Sequence, residues 1–148
     1  LSKDQFIKNL SNDFKVLKVD KAYKPLTKNK FGMYHNNQWY ILEFINSLTS
    51  KNFIDALDIN ILNQFCLTKM LNIKDVNNDE RIRFIAGCHG LSALEKKVDE
   101  NPDSVAFSIF PSKITDVIRV ADNNLTMPPK STWFDPKPLD GLVVYEFN

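Results

Sequence analysis

The stretch Phe31-Gly32-Met33-Tyr34-His35-Asn36-Asn37-Gln38-Trp39-Tyr40-Ile41-Leu42-Glu43-Phe44 decides the fold. Two runs rich in aromatic and aliphatic residues, Phe31–Tyr34 and Trp39–Phe44, flank the polar His35–Gln38. Asparagine enters left-handed turn conformations more readily than other chiral residues, so the pattern predicts a β-hairpin. Its aromatic side chains supply much of the area to be buried.

Working back toward the start, Phe14–Val19 is β-rich, although Leu17 breaks strict alternation, and Asp20–Asn29 is a lysine-rich loop containing Pro25. Phe6, Ile7 and Leu10 recur at helical spacing behind Ser2 and Gln5, which have the form of a capping box. A short amphipathic helix is expected over 3–12.

Working forward, Asn46–Asn52 is expected to loop out. Asp58 is expected to cap a helix whose stripe of Ile59, Leu62, Phe65, Cys66, Met70 and Leu71 packs inward. Arg81–Ala86 alternates as a strand does. Gly87-Cys88-His89-Gly90 is expected to turn tightly into a helix over Leu91–Val98, with Leu91, Leu94 and Val98 inward. Val105–Phe110 is expected to be a strand stopped by Pro111. Ser112 is expected to cap a helix to about Asp122 with Ile114, Val117, Ile118 and Ala121 facing in, and Leu142–Phe147 to be a closing strand. Strand, helix, strand, helix, strand from Arg81 to Phe147, preceded by a hairpin, implies an α+β fold: one mixed sheet with helices packed on it, in a single domain spanning 1–148.

Composition removes several classes of function. The chain has 148 residues, 43% hydrophobic and 25% charged, which suits one globular domain rather than a disordered or fibrous segment. No apolar run approaches the roughly 18–20 residues of a membrane span. Cys66 and Cys88, the only cysteines, are too few for a disulfide scaffold or a four-cysteine zinc site. Both are expected to be reduced and unpaired, in a cytoplasmic protein. Net charge is +1, with residues 1–40 at +5 and the rest at −4. The lysines are scattered and arginine occurs only at 81, 83 and 119, so no nucleic-acid surface is expected. The chain opens at Leu1 without Met or a signal pattern, which is read as a piece of a longer protein.

Met127-Pro128-Pro129-Lys130-Ser131-Thr132-Trp133-Phe134-Asp135-Pro136-Lys137-Pro138 is the least ordinary segment, with four of the seven prolines. Proline stiffens its path and lowers the entropy lost on binding. Lys130, Ser131 and Thr132 combine a cation with two hydroxyls, which suits phosphate or carboxylate oxygens. Lys137 adds a second cation, and His89 stands where a strand is expected to meet a helix N-terminus, a place that favours anions. The plain alternative is a rigid connector that packs Trp133 and Phe134, with His89 bonded to a carbonyl. No metal site is expected, since His35, Cys66, Cys88 and His89 lack ligand-pair spacing, and neither Cys88-His89 nor Glu43 with Glu80 signposts a catalytic pair.

The Met-Pro-Pro-Lys-Ser-Thr-Trp-Phe run, together with Ala106-Phe107, Pro111, Val120-Ala121-Asp122, Pro136-Lys137 and Gly141-Leu142, resembles the end of domain-of-unknown-function family 1015. The likeness extends backward through Arg81-Ile82 to Gly87 and, more loosely, through Leu57-Asp58, Trp39-Tyr40 and Phe31–Tyr34. Complete members are longer and carry an upstream Asp-Gly-His-His-Arg motif similar to the Asp-Gly-His-Thr-Arg of ParB-like free serine kinases. The resemblance therefore implies a C-terminal part whose missing N-terminal domain uses ATP or ADP, with Mg²⁺, to phosphorylate a small hydroxyl compound such as free L-serine. Neither motif occurs here, and Asp140-Gly141 is followed by Leu142. The part in hand is expected to be catalytically silent alone while contacting phosphate, a small anion or a nucleotide through Lys130, Ser131 and Thr132. The alternative in another class is a scaffold or dimerisation domain.

Overall fold

A computed structural model describes residues 3–48 and 52–132. At its centre Asn36 (φ 50°) and Asn37 (φ 58°) both take the left-handed conformation. Two such residues in succession form the turn whose twist matches a hairpin. They join β2 (Lys30–His35) to β3 (Gln38–Phe44), with His35 opposite Gln38 and Phe31 opposite Leu42. β1 (Phe14–Val19) pairs with the far side of β3, and β4 (Ala106–Ile109) with the far side of β2. The sheet order is β1-β3-β2-β4, and every described pairing is antiparallel. The α+β class holds, and the expected closing strand over 142–147 lies outside the described residues.

Alternation sorts the strand residues onto two faces. Phe14, Phe31, Met33, Tyr40 and Leu42 meet Phe6 and Leu10 of α1 (Lys3–Leu10). They also meet Ile61, Leu62, Phe65 and Cys66 of the helical run α2 (Asp58–Leu62), a π-helical Asn63–Thr68, and α3 (Lys69–Leu71). Phe14 stands edge-on to Phe31 at 5.8 Å, and Phe44 meets Phe65 at 4.8 Å. On the opposite face Tyr34 and Trp39 pack with Val98, Leu91 and Leu94 of α4 (Gly90–Asp99). The inward residues expected for this helix are the ones observed. Polar tips pin it, since Trp39 Nε1 donates to Glu95 Oε1 (2.7 Å) and Tyr34 OH to Asp99 Oδ1 (3.0 Å). The sheet is thus covered by helices on both faces.

Just before β1 the buried Asp13 accepts from Asn46 Nδ2 (2.7 Å) and Lys69 Nζ (2.6 Å), tying the end of α1 to α3. Gly32 sits where three parts of the chain cross. Ser108 Oγ donates to Tyr23 O (2.8 Å) directly over it, and Trp39 Cζ3 would lie 3.2 Å from any β-carbon placed there.

Four local expectations are corrected. Arg81–Ala86 is not a strand: among the described residues it joins no ladder, and the sheet consists of β1 to β4 alone. Arg81 instead closes the end of α3, donating to Leu71 O and Asn72 O while paired with Asp79. That pairing holds the Asp79 carboxyl down at about 2. Asp58 is not the cap of α2; Leu57 holds that position, and Asp58 Oδ1 accepts from Asn29 N (2.9 Å). Ser112 does not cap α5 (Ile114–Asp122), whose N-cap is Lys113. The apolar stripe of α5 does not face in: Ile114 and Ile118 are 63% and 53% exposed, and Ala121 is exposed. Val117 is half-buried, and Val120 is the residue that packs inward.

Cys66 and Cys88 are unpaired, as expected, but differ in surroundings. Burial pushes the Cys66 thiol up to about 12, whereas Cys88 is exposed. Since the thiolate is the reactive form, a maleimide-type reagent should label Cys88 in the native protein and Cys66 only after denaturation. Labelling of both at equal rates, or of neither in denaturant without reductant, would contradict this placement.

Candidate functional site

The Met127–Thr132 segment follows α5 and is drawn back toward the start of that helix. Asn124 (φ 53°) breaks the helix in a left-handed conformation, and Leu125 N closes it on Val120 O (3.0 Å). Pro128–Ser131 then forms a turn in which Ser131 N and Ser131 Oγ both donate to Pro128 O. Ser112 Oγ, displaced from its expected capping role, donates to Ser131 O (2.9 Å). The turn is therefore fastened to the residue that precedes α5.

Within that turn Lys130 has φ 58°. Among the described residues it is the one non-glycine other than asparagine in the left-handed region, a conformation that costs a residue with a β-carbon roughly 1–2 kcal/mol. Lys130 and Thr132 are exposed and Ser131 is half-buried. The hydroxyl of Ser131 is committed to the turn, so the groups left facing water are the Lys130 ammonium and the Thr132 hydroxyl.

His89 lies elsewhere, at the end of a single 3-10 turn, Gly87–His89, that leads into α4. It is exposed, its N–H bonds Ala86 O (3.0 Å), and among the described residues no hydrogen bond or ion pair joins it to the Lys130 turn. Lys137, Trp133 and Phe134 lie outside the described residues. Lys130, Ser131 and Thr132 are consecutive residues of one fastened segment, to which no hydrogen bond joins His89 among the described residues. No three His, Cys, Asp or Glu residues among those described are placed to hold a metal ion, and no described helix is long and apolar enough to cross a membrane.

No protein-family model, curated protein or solved structure matches the chain.

A second cluster was not visible as a site in the sequence. Lys28 Nζ pairs with Asp116 Oδ1 (2.8 Å), and the neighbouring Asn29 N–H bonds Asp58 Oδ1. Asp58 is 8% exposed, and its second oxygen, Oδ2, is buried without a hydrogen-bond partner. Burial, with Asp116 nearby, raises the Asp58 carboxyl above its ordinary range against the opposing pull of Asn29 N–H and Lys28. A raised carboxyl favours folding once protonated, so its contribution to stability falls as pH rises through the folded-state value. Lys28 and Asn29 also line a groove of about 430 Å³ whose other walls include Phe44, Ile45, Leu48 and Ile61.

Proposed function

We propose that this chain is the C-terminal α+β part of a cytoplasmic, small-molecule kinase-like protein resembling domain-of-unknown-function family 1015, and that the Lys130 turn contacts phosphate. The observation that supports this reading is Lys130 itself, a lysine kept in a strained left-handed conformation on a turn fastened by Ser112 and Ser131. Strain of this kind persists where the surrounding structure over-determines it, and it concentrates at functional sites. Phosphoryl transfer depends on positioning and charge stabilisation, which a lysine and a hydroxyl on a stiff turn supply. The nucleotide, ATP or ADP with Mg²⁺, would be held largely by the missing N-terminal domain. In this part Lys130, Thr132 and, beyond the described residues, Lys137 would meet its oxygens.

A second reading is a scaffold or dimerisation domain, favoured by the outward Ile114, Ile118 and Leu125. Two substitutions in the complete protein separate the readings. Lys130→Gly removes the ammonium and relieves the backbone, so it should raise the melting temperature slightly. Both it and Lys130→Ala should weaken ATP binding roughly ten- to hundredfold, the worth of a charge-assisted contact of about 1.5–3 kcal/mol. Unchanged ATP affinity in both variants would leave the scaffold reading standing.

A further inference from the structure

The stretch from Ser112 to Ser131 closes on itself, since Ser112 Oγ donates to Ser131 O and α5 lies between them. Its hold on the rest of the fold is slight: Val120 is the one buried residue of α5. Two further contacts reach neighbouring elements. Asp116 Oδ1 pairs with Lys28 Nζ at 2.8 Å, and the Arg119 guanidinium lies 4.2 Å from the centre of the Phe53 ring. The first of these is contested. Lys28 is followed by Asn29, whose N–H is bonded to Asp58 Oδ1, while Asp58 Oδ2 is buried without a donor. Buried polar groups are ordinarily paired, and each orphan calls for an explanation. The charges that act on Asp58 come from Lys28 in the loop before β2 and from Asp116 in the first turn of α5. Two carboxyls therefore share one ammonium.

We propose that Lys28 is a proton-operated latch on α5: it holds Asp116 while Asp58 is protonated, and turns to Asp58 when that proton leaves for solvent, freeing the 112–131 stretch. With Asp58 neutral, the charges of Lys28 and Asp116 cancel and the observed pair satisfies both. With Asp58 ionised the three groups sum to −1, and the buried carboxylate has the greater need of a cation. Asp116, at the edge of the cluster, can be hydrated once α5 lifts, whereas Asp58 at the start of α2 cannot. Lysine suits the part, because its flexible stem and rotatable donors can serve either carboxyl. Burial and the nearby Asp116 displace the loss of the Asp58 proton upward from the ordinary aspartate range. Because the fold favours the protonated form, the latch is closed below the folded-state value and opens as pH rises through it. Asn29 N–H stays on Asp58 in both states, so the loop before β2 keeps its hold on α2 while α5 is released. The Lys130 turn, fastened to Ser112, moves with α5. The latch stands apart from the reading of that turn as a phosphate contact, and either can fail without the other.

The test follows the full chain from about pH 4 to 8 by two measurements: hydrogen exchange of the α5 amides, corrected for its intrinsic pH dependence, and the carbon-13 shift of the Asp58 carboxyl. Protection of the α5 amides should fall roughly tenfold or more as pH rises, with the midpoint at which Asp58 loses its proton, while the amides of α4 keep theirs. Asp58→Asn keeps an acceptor for Asn29 N–H and cannot ionise, so α5 should hold its low-pH protection throughout. If that variant fails to fold, Asp116→Asn gives the second comparison. There α5 should be unlatched even at low pH, and Asp58, left with Lys28 to itself, should titrate lower than in the wild type. Protection of α5 that ignores pH, a midpoint apart from that of Asp58, or a pH dependence that survives in folded Asp58→Asn would each overturn the proposal. So would an Asp58 titration unmoved by Asp116→Asn.

Discussion

Replacing Gly32 by alanine is expected to cost about 3 kcal/mol or more and to lower the melting temperature by roughly 6–12 °C. A β-carbon at this position would fall inside the contact distance of two atoms at once, Ser108 Oγ and Tyr23 O, and would also press on Trp39. The serine hydroxyl can rotate, but the Tyr23 carbonyl belongs to the backbone and is held by the bond it accepts from Ser108. Relief therefore requires moving the 20–29 loop or spreading β2 from β4. Adding Ser108→Gly should recover only part of the loss, because the carbonyl remains in the way. Urea unfolding of the single and double variants decides the matter. A Gly32→Ala protein within about 0.5 kcal/mol of wild type would show that the crossing is looser than the structure describes.

Phe31→Ala should be at least as damaging, at about 3–5 kcal/mol. The ring is fully buried, sits on the sheet's central hairpin and is edge-on to Phe14, which in turn meets Phe44 at 5.5 Å. Its removal takes away transfer energy and leaves a cavity walled by α1 and α2, which cannot collapse without dragging the sheet. Phe14→Ala combined with Phe31→Ala should cost less than the two single losses added, by roughly 0.5–1.5 kcal/mol, since they share one aromatic contact. Leu17→Ala, on a strand residue that is 55% exposed, serves as the control and should change stability by no more than about 0.5 kcal/mol. Additive losses would remove the aromatic coupling from this account.

The elements legible in the sequence are those whose signal is local. Paired asparagines between two aromatic runs identify β2 and β3, and helical spacing identifies α1 and the inward face of α4. Arg81–Ala86 shows the limit of that logic: alternation marks a segment able to pair, while Arg81 is held instead by Asp79 and by the carbonyls that end α3. Asp58 shows another limit. As an isolated residue before an apolar stripe it has the chemistry of a cap, yet the Asn29 amide claims its carboxylate from across the fold. On α5 the 3.6-residue stripe is present but turned outward, because periodicity marks a face without saying what covers it. The Lys130 turn was legible as a stiff segment from its prolines and hydroxyls, although Ser112's part in fastening it was not. Lys28, Asp58 and Asp116 share no spacing or motif, and only the topology brings them together.

The position of β2 has a consequence for how the protein reaches its native state. On one side β2 bonds the next strand through a two-residue turn, and on the other it bonds β4, with Phe31 opposite Ile109 far along the chain. A hairpin closes within about 1–10 μs, whereas pairing across so long a loop has to wait for a slower search. During that interval the outer edge of β2 is exposed, with its amides and carbonyls open to any passing strand. Refolding yield should accordingly fall as protein concentration rises, and variants that delay the arrival of β4 should aggregate before they show any loss of equilibrium stability.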